Sequence, residues 1–150
     1  MVTSVTLVAM SYDDLPNDWP SRPLTDPVFA ADVIDLVVRE SDRIDGAVCA
    51  LLCRPDFTML QPVLVADIPD EPSPPACRAF LDLVLTGFGP EVGAVILALG
   101  RAAGTVPTDT ERTWHQVTID ICREKGVPLL AAYLATCDGV TELPRHDIAA

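Results

Sequence analysis

The fold is decided by residues 93–136, which read GAVILALGRAAGTVPTDTERTWHQVTIDICREKGVPLLAAYLAT. Two apolar runs, at 93–99 and 129–136, have the length and composition of strands buried on both faces of a sheet. Between them, Thr108-x-x-Glu111 is a capping box that predicts the start of a helix, and Lys125-Gly126 predicts its end. A strand–helix–strand unit of this kind is typical of an α/β domain.

The N-terminal region is predicted to contain one strand, one irregular segment and one helix. Residues 2–10 alternate loosely between apolar and polar side chains, as a strand does. Residues 11–26 are rich in proline and turn formers, which predicts an irregular arm. Asp26-Pro27 combines an N-cap residue with a proline at the first helical position, and the helix is expected to reach about Asp42.

The middle of the chain is predicted to form a hairpin followed by a helix. Residues 47–53 are nearly all apolar, and residues 58–68 follow after a short turn as a second strand. Pro62 predicts an edge position or a bulge near the start of that second strand. Ser73-Pro74 is predicted to begin the next helix, and Gly87 or Gly89 to end it.

The C-terminal region adds a last hairpin, signalled by Asp138-Gly139, with residues 140–143 as its second strand and 144–150 as a mobile tail. The predicted order is strand, helix, strand, strand, helix, strand, helix, strand, strand. We therefore expect residues 1–150 to form a single α/β domain with three helices, in two or three layers around one mixed β-sheet.

Composition narrows the range of partners. The 150 residues carry a formal net charge of −12, and the ten basic residues form no run. Because a nucleic-acid-binding surface needs clustered Lys and Arg to displace counterions, we expect no nucleic acid partner. No apolar stretch reaches the roughly 18 residues needed to cross a bilayer, so we expect no membrane partner.

The five cysteines predict buried free thiols in a reducing, cytoplasmic setting. Their count is odd and no C-x-x-C pair occurs, which disfavours a structural zinc site. All except Cys137 fall on predicted apolar faces, where a thiolate is disfavoured. The cysteines are Cys49, Cys53, Cys77, Cys122 and Cys137.

The connection between the strand at 93–99 and the following helix is the main candidate for a ligand site. Arg101, Gly104 and Thr108 bring a guanidinium, a flexible backbone and a helix N-terminus into one loop, which suits a phosphate or carboxylate. The alternative is an ordinary connection in which Arg101 pairs with Asp109 or Glu111. Neither a Walker motif nor a G-x-G-x-x-G motif is present.

His115 is the second candidate, because it lies four residues after Glu111 on the same helix face. The pair could contribute to a metal site or act as a base and its orienting group. The alternative is a half-exposed histidine bonded to a neighbouring carboxylate. A single further histidine, His146, lies in the C-terminal tail, so a histidine-rich metal site is excluded.

Residues 29–143 resemble the JAB/MPN fold, and within it the RadC-like branch. The resemblance rests on the order of elements and on four local phrases: residues 93–98, 104–108, 126–130 and Asp138-Gly139. These phrases resemble the strand before the family's metal motif, the turn after it, the return to the next strand and the final hairpin.

The metal motif of that family is absent from this sequence. Active members carry a His-x-His pair followed by a Ser and an Asp around zinc; here the histidine positions fall on Leu99 and Arg101, and the Ser and Asp positions fall near Asp109 and Arg112. The strand at 58–68, expected to carry the catalytic Glu, has none. The resemblance therefore implies a copy without the metal, comparable to inactive members that serve as binding and assembly partners.

Two functions remain, in different classes. The first is a non-catalytic interaction or scaffold module, without cofactor, metal or catalytic residues, that contacts a protein partner or another copy of itself. Its contact residues are expected to be Tyr12 and Trp19 of the arm, or an exposed strand edge. The alternative is a small-molecule or anion-binding protein, or a hydrolase, that uses residues 99–115, with Arg101, Gly104, Thr108 and His115 as ligand-binding residues.

Overall fold

The computed structural model describes residues 4–7, 21–66, 73–104 and 106–144. Its elements, in chain order, are β1 (Ser4–Leu7), α1 (Pro27–Val37), α2 (Glu40–Asp45), β2 (Ala47–Cys53), β3 (Met59–Ala66), α3 (Pro74–Phe88), a 3-10 turn (Gly89–Glu91), β4 (Ala94–Gly100), α4 (Asp109–Lys125), β5 (Leu129–Thr136) and β6 (Gly139–Glu142).

The described strands form one six-stranded sheet in the order β1-β3-β2-β4-β5-β6. β4 and β5 are parallel and joined through α4, whereas the other neighbouring strands run antiparallel. The predicted α/β class with a mixed sheet is confirmed. The hairpins of β2 with β3 and of β5 with β6 are antiparallel because a short turn can join only antiparallel neighbours.

Helices cover both faces of the sheet, so the three-layer alternative is the one that the structure adopts. Alternate residues of β2 point to opposite faces, as the two-residue period of a strand requires. Leu51 packs in the core cluster of Val33 and Ile34 from α1, and Leu52 packs in the cluster of Leu81 from α3 and Trp114 from α4. The resulting core is almost entirely aliphatic.

The helix starts and ends predicted from capping residues are confirmed. Asp26 Oδ1 accepts from Val28 N over 3.0 Å at the start of α1. Ser73 Oγ accepts from Ala76 N over 3.2 Å at the start of α3, and Gly89 ends that helix. Gly126 ends α4 in the left-handed conformation. The Asp26 and Ser73 side chains set the starts of α1 and α3, because they accept hydrogen bonds from backbone N–H groups that have no partner within the helix.

The first helix is shorter than predicted, and a fourth helix follows it. α1 ends at Val37, the extended Val38 turns the chain, and α2 begins at Glu40. The new helix starts there because Asp42 Oδ2 accepts from Arg39 N over 3.0 Å and caps its first turn, while Val37 and Val38 both stay buried. Within the described residues there are four α-helices, so the prediction of three is corrected.

The turn between β2 and β3 makes two close backbone contacts. Phe57 has a φ of 70°, which is uncommon for a bulky residue, and its carbonyl accepts from Leu24 N over 2.9 Å. At Gly93 a Cβ atom would lie 2.3 Å from the Cα atom of Pro55, so only glycine fits there. The hydrogen bond between Leu24 and Phe57 seats the described end of the predicted arm against the body of the domain.

The bulge near Pro62 and the last hairpin are both present, with small differences from their predicted positions. The register of β2 and β3 shifts at Leu52 and Cys53, so the bulge predicted near Pro62 is present. In the last hairpin Gly139 pairs with Thr136, which makes Cys137 and Asp138 the turn residues. The strand predicted at 2–10 is described only at 4–7, and residues 11–20 of the arm and 145–150 of the tail lie outside the described residues.

Candidate functional site at the carboxyl ends of the parallel strands

The parallel strands β4 and β5 end at the same edge of the sheet, where α/β proteins commonly place their ligands. Two backbone hydrogen bonds join the connections that follow them. Arg101 N donates to Ala135 O over 3.0 Å, and Cys137 N donates to Ala102 O over 3.1 Å. The loop after β4 and the turn after β5 therefore form one continuous structure.

Arg101 pairs with a carboxylate at the start of α4, as one of the two alternatives predicted. Its Nη1 atom lies 2.9 Å from Glu111 Oε1, and its Nη2 atom donates to Val106 O over 2.8 Å. The Glu111 side chain is only 8% exposed and the Arg101 side chain 21%. The pair is therefore largely shielded from water, and the guanidinium charge is neutralised within the chain.

Glu111 also completes the cap of α4. Its Oε1 atom accepts from Thr108 N over 2.8 Å, as the predicted capping box requires. Glu111 Oε1 thus accepts a hydrogen bond from Thr108 N in the helix cap and is also paired with Arg101 Nη1. Because the carboxylate occupies the positive end of the helix, an added anion would be repelled there.

Gly104 closes the loop around the Arg101 side chain. Its φ is 99°, and a Cβ atom at this position would lie 3.0 Å from Arg101 Nη2. The structure therefore brings Arg101, Gly104 and Thr108 together as one loop. His115 lies one turn beyond Glu111 on α4 and is half-buried, as predicted.

Trp114 lies deeper along the same helix. It is 4% exposed, and its ring packs edge-to-face against Phe80 of α3 with centroids 5.9 Å apart. Trp114 Nε1 and Arg101 Nε are both buried, and neither finds a hydrogen-bond partner within the described part of the chain. Buried donors of this kind are rare in folded proteins.

Arg43 is the residue that the sequence analysis missed at this edge. Its buried guanidinium donates from Nε to Val38 O over 2.9 Å and from Nη1 to Thr136 O over 2.8 Å. Its Nη2 atom donates to the main-chain oxygen and to Oδ1 of Asp35, over 3.2 Å and 2.9 Å. Arg43 therefore satisfies carbonyls at the C-terminus of α1 and ties them to the end of β5.

Two of the positions at which the resemblance to the JAB/MPN family would place metal ligands lie in different surroundings. Leu99 is 1% exposed in the core on the side of α3 and α4, while Arg101 lies in the loop bound to Glu111. In the described ranges there is no group of three His, Cys, Asp or Glu side chains able to hold a metal ion.

Four of the five thiols are buried, as the sequence predicted, and Cys137 is exposed in the turn after β5. Burial raises the pKa of Cys49, Cys53 and Cys122 to about 12 and that of Cys77 to about 11. A thiol with such a pKa remains protonated at neutral pH and is a poor nucleophile. The predicted contact residues Tyr12 and Trp19 lie outside the described residues.

No helix in the described segments is long and apolar enough to cross a membrane. Comparisons of the chain with protein-family models, curated proteins and solved structures found no match.

Proposed function

We propose that this chain is a non-catalytic interaction module that binds a basic protein partner through the outer surface of α1 and α2. We define the acidic surface as the exposed side chains of residues 26–45. Its carboxylates are Asp26, Asp32, Asp35, Glu40 and Asp45, and its apolar residues are Val28 and Ile44.

The observation that carries this proposal is the contrast in charge between the two helical layers. On the acidic surface five exposed carboxylates stand against one exposed guanidinium, that of Arg39, and one of the five, Asp35, is paired with the buried Arg43 at 2.9 Å. On α3 and α4 the exposed charges balance and form cross-helix ion pairs, Arg78 with Glu124 at 2.6 Å and Lys125 with Asp82 at 2.8 Å. A surface with an excess of charge of one sign attracts a partner of the opposite sign.

The acidic surface also carries apolar side chains in contact with water. Val28 is 71% exposed and Ile44 is 59% exposed. Exposed apolar residues surrounded by charge resemble the anchors and polar rim of a protein interface. A partner helix or strand with lysines or arginines around an apolar stripe would match this arrangement.

Charge favours a different protein over a second copy of this chain. Each copy carries a formal net charge of −12, so association through two acidic surfaces would bring like charges together. The resemblance to inactive JAB/MPN members, which serve as assembly partners, supports the same class of function. The pairing of Arg101 with Glu111 weighs against the alternative of an anion-binding loop.

Affinity capture with matched variants tests the proposal. The intact protein is immobilised, a captured protein is purified, and its affinity is measured by calorimetry. Ile44→Ser should weaken binding at least tenfold, and Leu83→Ser, an equally exposed apolar residue on α3, should not. Asp32→Lys should slow association, and Asp120→Lys on α4 should not.

Three results would contradict the proposal. The first is that no protein is retained at low salt. The second is that the retained protein is acidic and binds independently of salt. The third is that Ile44→Ser and Leu83→Ser bind alike, which would place the contact away from the acidic surface.

A further inference from the structure

We propose that two copies of this chain form a reversible dimer through the outer side of α3. We define the apolar face of α3 as Ala76, Ala79, Phe80, Leu83 and Gly87. This inference does not rest on the proposed interaction module, because α1 and α3 pack on opposite faces of the sheet.

The first step is that α3 lacks the charged outer side of an ordinary surface helix. Its core-facing side chains are Cys77, Leu81, Val84 and Leu85. Of its 15 residues only Arg78 and Asp82 are charged, and the remainder of its outer side is apolar except for Thr86. A helix that is apolar on every side is usually buried, so we expect a second body to cover this one.

The second step is that the apolar face of α3 is continuous and open. Ala76, Ala79, Leu83 and Gly87 follow one another at intervals of three or four residues, which places them on one side of the helix. All four are exposed, and Leu83 is 69% exposed. A Cβ atom at Gly87 would meet no atom within 4 Å, so no described part of the chain covers that end of the face.

The third step is that charge selects a second copy as the occupant. Arg78 and Asp82 are both paired with side chains of α4, so this side of the protein has no excess charge to attract a strongly basic or acidic partner. In a dimer formed here, the two acidic surfaces would lie on the far sides of the two sheets. A second copy therefore meets the least repulsion when it approaches α3.

The fourth step is that the apolar face of α3 is complementary to itself. In a two-fold dimer, if one residue contacts another, the reverse contact is made as well. In an antiparallel pair of α3 helices, Leu83 of each copy can pack over Ala79 of the other. Ala76 then lies opposite the turn that holds Gly87. Each large side chain meets a small one, which allows the two helices to pack closely.

The size of this face predicts a dimer that dissociates on dilution. A helix of 15 residues is about 22 Å long and roughly 10 Å wide. A contact of this size is smaller than the roughly 800 Å² per partner of a standard protein interface. The expected complex is therefore a reversible dimer rather than a permanent one.

Sedimentation velocity of the intact protein over a series of concentrations tests the proposal. The wild-type protein should shift from monomer to dimer as its concentration rises. Leu83→Ser should raise the dimer dissociation constant at least tenfold, and Ala79→Glu should do the same. Ile44→Ser removes a comparably exposed apolar residue from the acidic surface and should leave the dimer unchanged. Circular dichroism checks that each variant is folded.

Salt separates the dimer from binding at the acidic surface. Each copy carries a formal net charge of −12, so screening by added sodium chloride should tighten the dimer. The same salt should weaken the binding of a basic partner to the acidic surface. Because the dimer is measured with the purified chain alone, its outcome is independent of whether any partner is captured.

Three outcomes would overturn the dimer. One is a protein that remains monomeric at every concentration, in high salt as well as in low salt. Another is a dimer that is as stable in Leu83→Ser and Ala79→Glu as in the wild-type protein. The third is a dimer that Ile44→Ser disrupts and Leu83→Ser does not, which would place the contact between copies on the acidic surface.

Discussion

Arg43 Nη1 donates to the main-chain oxygen of Thr136 over 2.8 Å, and this contact joins α2 to the end of β5. An arginine is seldom buried unless it is fully engaged, and Arg43 is 6% exposed. Its remaining hydrogen bonds run to Val38 and Asp35. A guanidinium suits this place because its planar fork reaches several carbonyl oxygens at once.

Replacing Arg43 with methionine should destabilise the protein by about 3 kcal/mol, because it leaves buried carbonyl oxygens of Val38 and Thr136 without a donor. Arg39→Met is the matched control, since Arg39 is exposed and should change the free energy of unfolding by roughly 0.5 kcal/mol or less. Urea unfolding monitored by circular dichroism measures both. Equal effects of the two substitutions would contradict the role given to Arg43.

Substitution of Arg101 by alanine should lower the free energy of unfolding by about 1–3 kcal/mol, more than the roughly 0–1 kcal/mol typical of an exposed ion pair. The reason is that Glu111 is 8% exposed and would be left as a buried charge without its partner. Arg112→Ala removes the exposed pair with Asp109 and serves as the control. If both variants melted at the wild-type temperature, the Arg101–Glu111 pair would not stabilise the loop.

Labelling of the folded protein with a thiol reagent at neutral pH should modify one of its five cysteines. Cys137 is exposed, whereas burial raises the pKa of the other four to about 11 or 12, so they remain protonated thiols at neutral pH. Denaturant should make all five react, and Cys137→Ser should abolish labelling of the folded state. Rapid labelling of a second cysteine in the native protein would show that one of the buried thiols is accessible.

Two glycine substitutions should act in opposite directions. Gly93→Ala would bring a Cβ atom to 2.3 Å from Pro55 Cα, and forcing that backbone apart should cost about 1–3 kcal/mol or more. Gly87→Ala lies within α3 and would meet no atom within 4 Å, so it should stabilise the helix by about 0.5–1 kcal/mol. Thermal unfolding of the two variants decides this, and a melting temperature raised by Gly93→Ala would contradict the close approach.

Local chemistry explains why so much of the fold followed from the sequence. Asp26, Ser73 and Gly126 act within one or two turns of their own helix, so their effect is visible in short windows of sequence. The pairing of Arg101 was predictable for the same reason, because loop and capping box are adjacent in the chain. α2 was missed because its six residues, ESDRID, show no apolar period.

Long-range contacts explain the rest. Arg43 lies in a polar run that resembles a solvated surface, and its burial depends on carbonyls at Thr136, 93 residues away. The unused donors of Arg101 and Trp114 are likewise a property of packing, since the sequence does not show which polar atoms end without a partner. Both features depend on how the helices meet the carboxyl edge of the sheet.

The strand order also determines how the chain reaches this structure. β2 with β3 and β5 with β6 are local hairpins that close over short turns. β1 can pair with β3 only after the helices between them have been synthesised. Closing this long loop costs conformational entropy before the contacts between the two strands compensate for it. During synthesis, β1 therefore lacks its partner strand until β3 emerges, whereas β2 and β3 can pair as soon as the short turn between them is complete.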